Sequence, residues 1–171
     1  MNSSDFPNLF LRFQKNFINL SGNTIKSYKR DLLQFVNFLD SVDVSLWASV
    51  DANIARTYLS YRRKEGDKAT TIARKLSTLR KFFFWLKKEG IIITNPFVSL
   101  KSPKKEKTLP KVLDVDLANY FLSLDANTDI LIRDKAMFEL LYSSGLRISE
   151  LVSLDESDLD VIEGEVRVEG K

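Results

Sequence analysis

Between Thr70 and Leu86, apolar residues return every three or four positions: Ile72, Leu76, Leu79, Phe83 and Leu86. At 3.6 residues per turn they share one face, so the segment must be an amphipathic helix with something to pack against. It ends before Gly90. The same period recurs three times upstream. Phe6, Phe10, Phe13 and Phe17 mark a helix from about Phe6 to Leu20. Ser21 is placed to cap a second helix, in which Ile25, Tyr28, Leu32, Phe35 and Leu39 line one side. Asp51 is placed to cap a third, with Ile54, Tyr58 and Tyr61 inward and a stop near Gly66. Four such helices with short connections predict a compact bundle over residues 1–100.

Two prolines bracket a lysine run in Leu100-Lys-Ser-Pro-Lys-Lys-Glu-Lys-Thr-Leu-Pro110, which has little to bury. Residues 101–110 therefore read as a linker and 111–171 as a second domain. There, Asp114 or Asp116 can cap a short helix carrying Leu117, Tyr120, Phe121 and Leu124. A longer helix follows from about Asp129 to Ser144, with Ile132, Ala136, Leu140 and Ser143 along one face. Another short helix is expected near Arg147 or Ile148. The stretch from Asp158 to Val168 reads as strand, turn and strand, because Val166 and Val168 alternate with charged residues. The expected class is mainly α with a terminal β-hairpin.

The chain has neither cysteine nor histidine. Cys/His zinc sites and a histidine general base are thereby excluded, and no Gly-rich phosphate loop or calcium loop is present. Neither metal nor cofactor is expected. No segment reaches the roughly 20 apolar residues that span a bilayer, and the N-terminus has no secretory pattern, so a cytoplasmic location is expected. The net charge of +3 conceals an asymmetry. Through Lys107 there are 20 Lys and Arg against 9 Asp and Glu; from Thr108 onward there are 6 against 14. A basic first domain points to a polyanionic partner.

That charge is patterned. Lys26, Lys29 and Arg30 lie outside the apolar stripe of the second helix. On the fourth, Arg74, Lys81 and Lys88 are seven residues apart, joined by Lys75, Arg80 and Lys87, with Thr70, Thr71 and Thr78 among them. Two basic faces plus Lys104 and Lys105 of the linker can follow duplex phosphates, and the hydroxyls can add backbone contacts. The alternative is a solvated face. Phe82, Phe83, Phe84 and Trp85 are expected to pack against neighbouring helices rather than stack on bases. Tyr142 reads as core. In Gly145-Leu-Arg-Ile-Ser-Glu150, Arg147 follows a helix-ending glycine by two residues and precedes Glu150 by three. That spacing makes either an ordinary surface ion pair or a guanidinium held to grip phosphate.

Longer motifs carry a resemblance. They are Ser21-x-x-Thr24-x-x-x-Tyr28-x-Arg30-Asp31-Leu32, Arg74-Lys75-Leu76-Ser77-Thr78-Leu79-Arg80-x-Phe82-Phe83-x-Trp85-Leu86, Asn95-Pro96, Leu109-Pro110 and Arg133-Asp134-Lys135-Ala136-Met137. Gly145-Leu146-Arg147-Ile148-Ser149-Glu150-Leu151 and Gly164-Glu165-Val166-Arg167-Val168-x-Gly170-Lys171 complete the set. The chain resembles the Xer-type tyrosine site-specific recombinases of the phage integrase family, most of all their XerC branch. The resemblance implies a four-helix SAM-like core-binding domain and a partial α/β catalytic domain, which close on duplex DNA as a clamp. In such enzymes a tyrosine attacks the scissile phosphate to form a 3′-phosphotyrosyl link.

On this resemblance Arg147 matches the first catalytic arginine, Glu150 the acid that supports it, and Lys171 the lysine of the β-hairpin. Tyr142 matches a structural position. The family's His-x-x-Arg block, second His/Trp position and nucleophilic tyrosine would fall beyond residue 171. The 171 residues are thus expected to be cut short within the catalytic domain, to bind DNA and to cleave nothing. Double-stranded DNA and a second recombinase subunit in a tetrameric synaptic complex are the implied partners, with no membrane. Chromosome-dimer resolution at a dif-like site is the leading expectation. A mobile-element integrase and a non-enzymatic DNA-binding protein are the alternatives. Self-association through uncovered apolar surface is also expected.

Overall fold

The computed structural model describes residues 2–16, 20–104 and 112–168. Contacts divide the chain into two compact units, Met1–Thr108 and Leu109–Lys171.

Four helices build the first unit: α1 (Phe6–Gln14), α2 (Gly22–Ser41), α3 (Ala52–Lys64) and α4 (Ala69–Lys88). The two anticipated caps are made. Ser21 Oγ accepts the Thr24 N–H at 3.3 Å, and Asp51 Oδ1 accepts those of Asn53 and Ile54 at 2.9 and 2.8 Å. Helix α1 is shorter than the expected Phe6–Leu20, and Phe17 lies outside the described residues. The chain start is stitched to the α2–α3 connection. Ser3 N–H donates to Ser45 O at 2.7 Å, and Trp47 Nε1 donates to Asn2 O at 3.1 Å.

Helix α4 packs against both α2 and α3, and its apolar face is the floor of the core. Ile72, Leu76, Leu79, Phe83 and Leu86 are all buried there, as the spacing predicts. Rings interlock around them edge to face. Phe13 meets Phe82 at 5.2 Å, Trp47 meets Phe82 at 5.3 Å, and Phe83 meets Phe97 at 4.9 Å. Each fully buried ring stabilises the fold by roughly 1.5–3 kcal/mol through area burial, with a further increment from edge-to-face geometry. Two expectations are corrected. Tyr61 sits at the edge of α3, exposed and stacked on Phe38, because Tyr58 alone occupies the inward position of that turn. Phe84 is 67% exposed while Phe82, Phe83 and Trp85 are buried. Four consecutive helical residues sweep about 300° of the cylinder, so one must point out.

Past α4, Arg80 closes the bundle. Its Nε donates to Phe97 O at 3.0 Å and its Nη2 to Leu100 O, while Asn95 Nδ2 donates to Arg80 O at 3.0 Å. Residues 101–104 form neither helix nor strand.

The second unit holds α5 (Val115–Ser123), α6 (Asp129–Ser144) and α7 (Ile148–Val152), then a ribbon of β1 (Leu159–Asp160) and β2 (Glu165–Val166). Asp114 caps α5 by accepting the Asp116 N–H at 2.8 Å, and Thr128 caps α6 by accepting that of Leu131 at 3.3 Å. The strands pair antiparallel, Leu159 opposite Val166 and Asp160 opposite Glu165. Asp160 Oδ1 holds their turn by accepting the N–H groups of Ile162 and Glu163, and Gly164 turns with φ 68°.

Among the described residues of this unit only Ala118 is buried. Phe121, Phe138 and Tyr142 line an apolar groove between α5 and α6 with Leu113, Ala118 and Leu122. Tyr142 is therefore not core as expected, but half exposed on a groove wall. No described helix is long and apolar enough to cross a membrane.

Candidate nucleic-acid interface

Helices α2 and α4 meet along a polar seam. Asp31 sits where an apolar residue is due, three after Tyr28 and four before Phe35, and its side chain is fully buried. An ionised carboxylate there must be paired. Arg74 supplies the charge, with Nη1 donating to Asp31 Oδ2 and, at 2.8 Å, to Ser27 Oγ. Thr78 Oγ1 adds a donor to the same carboxylate oxygen at 3.2 Å. One turn on, Lys81 Nζ donates to the Tyr28 hydroxyl at 2.8 Å and lies 5.5 Å from the centre of its ring.

This seam separates the expected DNA-contacting residues into groups. Lys26, Lys29, Arg30, Thr70, Lys81, Lys88 and Lys104 are exposed, and the Arg74 side chain is 39% exposed. Lys75 and Thr78 are corrected: both are buried, Lys75 at 3% and Thr78 at 1% exposure. The physical reason is register. Lys75 follows Ile72 by three and precedes Leu79 by four, so it belongs to the inward arc, where Asp67 receives its ammonium at 2.5 Å. Arg80, also read as part of the basic face, holds the carbonyls after α4 instead. Lys26 and Lys29 border a groove between α1 and α2, lined by Phe6, Phe10, Leu11 and Leu33, rather than the α2–α4 seam. Lys105 and Lys171 lie outside the described residues.

Asp67 is a junction that the sequence pattern did not single out. Arg62 Nε reaches it at 2.8 Å alongside Lys75. The Arg62 hydrogen bond, reinforced by Lys75 and opposed by burial, holds its carboxyl down to about 2. Asp67 in turn raises the pKa of Arg62. The readable signal for Asp31 and Lys75 was a charge within an apolar stripe.

Arg147 stands between two helices of the second unit. Gly145 ends α6 in the left-handed region (φ 66°, ψ 21°), its N–H donating to Leu141 O at 3.1 Å. A side chain would be strained at that φ. Arg147 is extended (φ −75°, ψ 149°) and is the residue from which α7 starts; its carbonyl accepts the N–H groups of Glu150 and Leu151 at 2.9 and 3.0 Å. Glu150 answers twice. One carboxylate oxygen accepts the Arg147 backbone N–H at 2.8 Å, and the other accepts Nη1 at 2.5 Å. Backbone and guanidinium are thus tied to one acid, yet the Arg147 side chain remains 77% exposed. A planar fork held this way, with most of its edge in solvent, is suited to a second, bidentate anion.

Comparison with known proteins places both units. The phage integrase N-terminal SAM-like domain matches residues 8–90, and the phage integrase family matches residues 111–171. Tyrosine recombinase XerC of Vibrio vulnificus (strain YJ016) is 40% identical over 162 residues, 95% of this chain and 50% of that protein. Tyrosine recombinase XerC of Escherichia coli O139:H28 is 38% identical over the same length and 54% covered. The chain spans about half the length of the curated relatives it matches. Among solved structures, the Tn1549 transposon integrase in complex with circular intermediate DNA superposes with a TM-score of 0.65 at 24% identity, over 91% of this chain and 50% of that one. The same integrase with transposon right end DNA gives 0.66 at 24%, over 94% and 50%. These likenesses speak to fold alone. With both units matched in order and 95% of its length aligned to XerC proteins, the chain belongs to the phage integrase family of tyrosine recombinases.

Proposed function

We propose that the chain serves site-specific DNA recombination, as the duplex-gripping and phosphate-holding portion of a Xer-type tyrosine recombinase. The observation that carries this reading is the double hold of Glu150 on Arg147, which orients an exposed guanidinium without consuming it. In phosphoryl transfer such a group stabilises charge on the nonbridging oxygens. The exposed cations of α2 and α4 supply the sequence-independent attraction to a duplex, and Lys104 extends it.

The finer assignment is chromosome-dimer resolution at a dif-like site, in the cytoplasm, with a second tyrosine recombinase subunit in a tetrameric synaptic complex. Its support is the 38–40% identity to XerC proteins, against 24% to the transposon integrase. Lys171 would assist at the leaving oxygen. On the resemblance Tyr142 matches a structural position, and the motifs matched here do not include the nucleophilic tyrosine. The polypeptide by itself therefore binds a duplex and leaves it uncut.

Incubation with a suicide-nicked duplex carrying a XerC-type recombination site tests both parts. Retention of the DNA without a covalent adduct is expected. An adduct stable to denaturant would overturn the non-cleaving assignment, and failure to retain the duplex would overturn the recombination reading.

A further inference from the structure

Helix α4 carries a second stripe, opposite in character to its buried one. Thr70, Arg74, Ser77, Lys81, Phe84 and Lys88 follow steps of four, three, four, three and four. At 100° per residue their side chains fall within about 40° of one line. Five of the six are polar or cationic. Phe84 is the exception, and at 67% exposure it is the exposed member of an aromatic run whose other three rings are at most 4% exposed.

Solitary exposed apolar residues are common and by themselves mean little. Position sets this one apart. Lys81 lies three residues before Phe84 and Lys88 four after, on the same line, so the two lysines start ~10 Å apart along the axis. The major groove of a duplex is about 12 Å wide and admits an α-helix. Two ammonium groups at that spacing can meet phosphates on opposite walls of the groove. The ring between them then faces the base edges, where thymine alone presents a methyl group. Lys81 stays exposed while its ammonium donates to the Tyr28 hydroxyl of α2.

Resting on the DNA-binding reading above, we infer that Phe84 is a base-reading residue: its ring packs on a thymine C5-methyl while Lys81 and Lys88 hold the flanking phosphates. The phosphate contacts set position and the ring sets sequence preference.

The experiment selects duplexes from a randomised pool with the full chain, then replaces each thymine of the enriched sequence singly by uracil, which lacks only that methyl group. One replacement is expected to weaken binding about fourfold, the worth of one buried methyl. Phe84→Ala should weaken binding to the thymine duplex by a similar factor, abolish the thymine–uracil difference, and leave the salt dependence unchanged. Lys81→Ala and Lys88→Ala should each reduce the salt slope by about one while keeping the difference. Circular dichroism of Phe84→Ala should match wild type, since the ring is largely in solvent. A thymine preference that survives Phe84→Ala overturns the inference, as does duplex binding with no enriched sequence. Loss of self-association by Phe84→Ala with DNA binding intact would assign the ring to a protein contact and also overturn it. Failure of the wild-type chain to bind any duplex would instead strike the DNA-binding reading beneath it.

Discussion

Glu150 binds Arg147 at both ends: its carboxylate takes the backbone N–H at 2.8 Å and the guanidinium at 2.5 Å. The two bonds differ in worth. The first caps a helix start, and such caps contribute about 1 kcal/mol. The second joins a side chain that is 77% exposed, so water and salt screen it to a few tenths of a kcal/mol. Glu150→Ala should therefore raise amide exchange at the start of α7 about fivefold, and Arg147→Ala should scarcely change it. Equal effects in hydrogen-exchange mass spectrometry would mean that the ion pair, not the cap, holds the segment.

Asp67 makes the bundle acid-sensitive in a defined window. Its carboxyl falls from an ordinary 3.8 to about 2 because Arg62 and Lys75 bond to its ionised form. Near pH 3 the unfolded chain thus binds more protons at this site than the folded one. The stabilisation is complete above pH ~4 and is lost as pH falls toward 2. It amounts to about 2 kcal/mol. Both tryptophans, Trp47 and Trp85, are buried in this unit, so denaturant titrations followed by their fluorescence report on it. Asp67→Asn should remove this part of the pH dependence; an unaltered profile would contradict the assignment.

The Asp31 carboxylate holds Arg74 and Thr78 in the α2–α4 seam. Asp31→Ala should cost about 2–3 kcal/mol, since Arg74 loses its charge partner and Thr78 keeps only the Arg74 carbonyl, at 3.2 Å, as acceptor. Thr78→Val should cost about 1 kcal/mol. Equal losses in urea unfolding would show that Arg74 contributes nothing to the seam.

Arg80 should resist conservative replacement. One guanidinium serves two carbonyls, Phe97 O and Leu100 O, and a lysine ammonium lacks the planar fork to reach both in this geometry. Arg80→Lys is expected to destabilise the bundle by about 1–2 kcal/mol in the same fluorescence assay. A neutral outcome would place the closure of residues 95–100 on the burial of Phe97 alone.

Helix caps were the most legible part of this fold. Ser21 and Asp51 are made as expected, and α6 runs Asp129–Ser144 as its pattern requires. Local chemistry writes those signals. The inward charges were harder. Lys75 and Thr78 read as basic-face residues because type outweighed register, though the spacing of Lys75 from Ile72 and Leu79 already placed it on the inward arc; Thr78, about 100° round from Leu79, is buried against Asp31 of α2. Arg80 could not be assigned from periodicity, since its partners come from a loop seventeen to twenty residues on. Phe84 was expected to pack because its neighbours do. The site arginine was legible by motif, but the two separate bonds of Glu150 required coordinates.

The central claim, that a cationic surface on α2 and α4 tracks duplex phosphates, is tested most directly by the salt dependence of DNA binding. With about six exposed Lys and Arg engaged, the logarithm of the association constant should fall against the logarithm of salt with a slope of about −5. A charge-reversed Lys81→Glu/Lys88→Glu chain should show a slope shallower by about two. A wild-type slope near zero, or one that the reversed chain reproduces, would contradict the account.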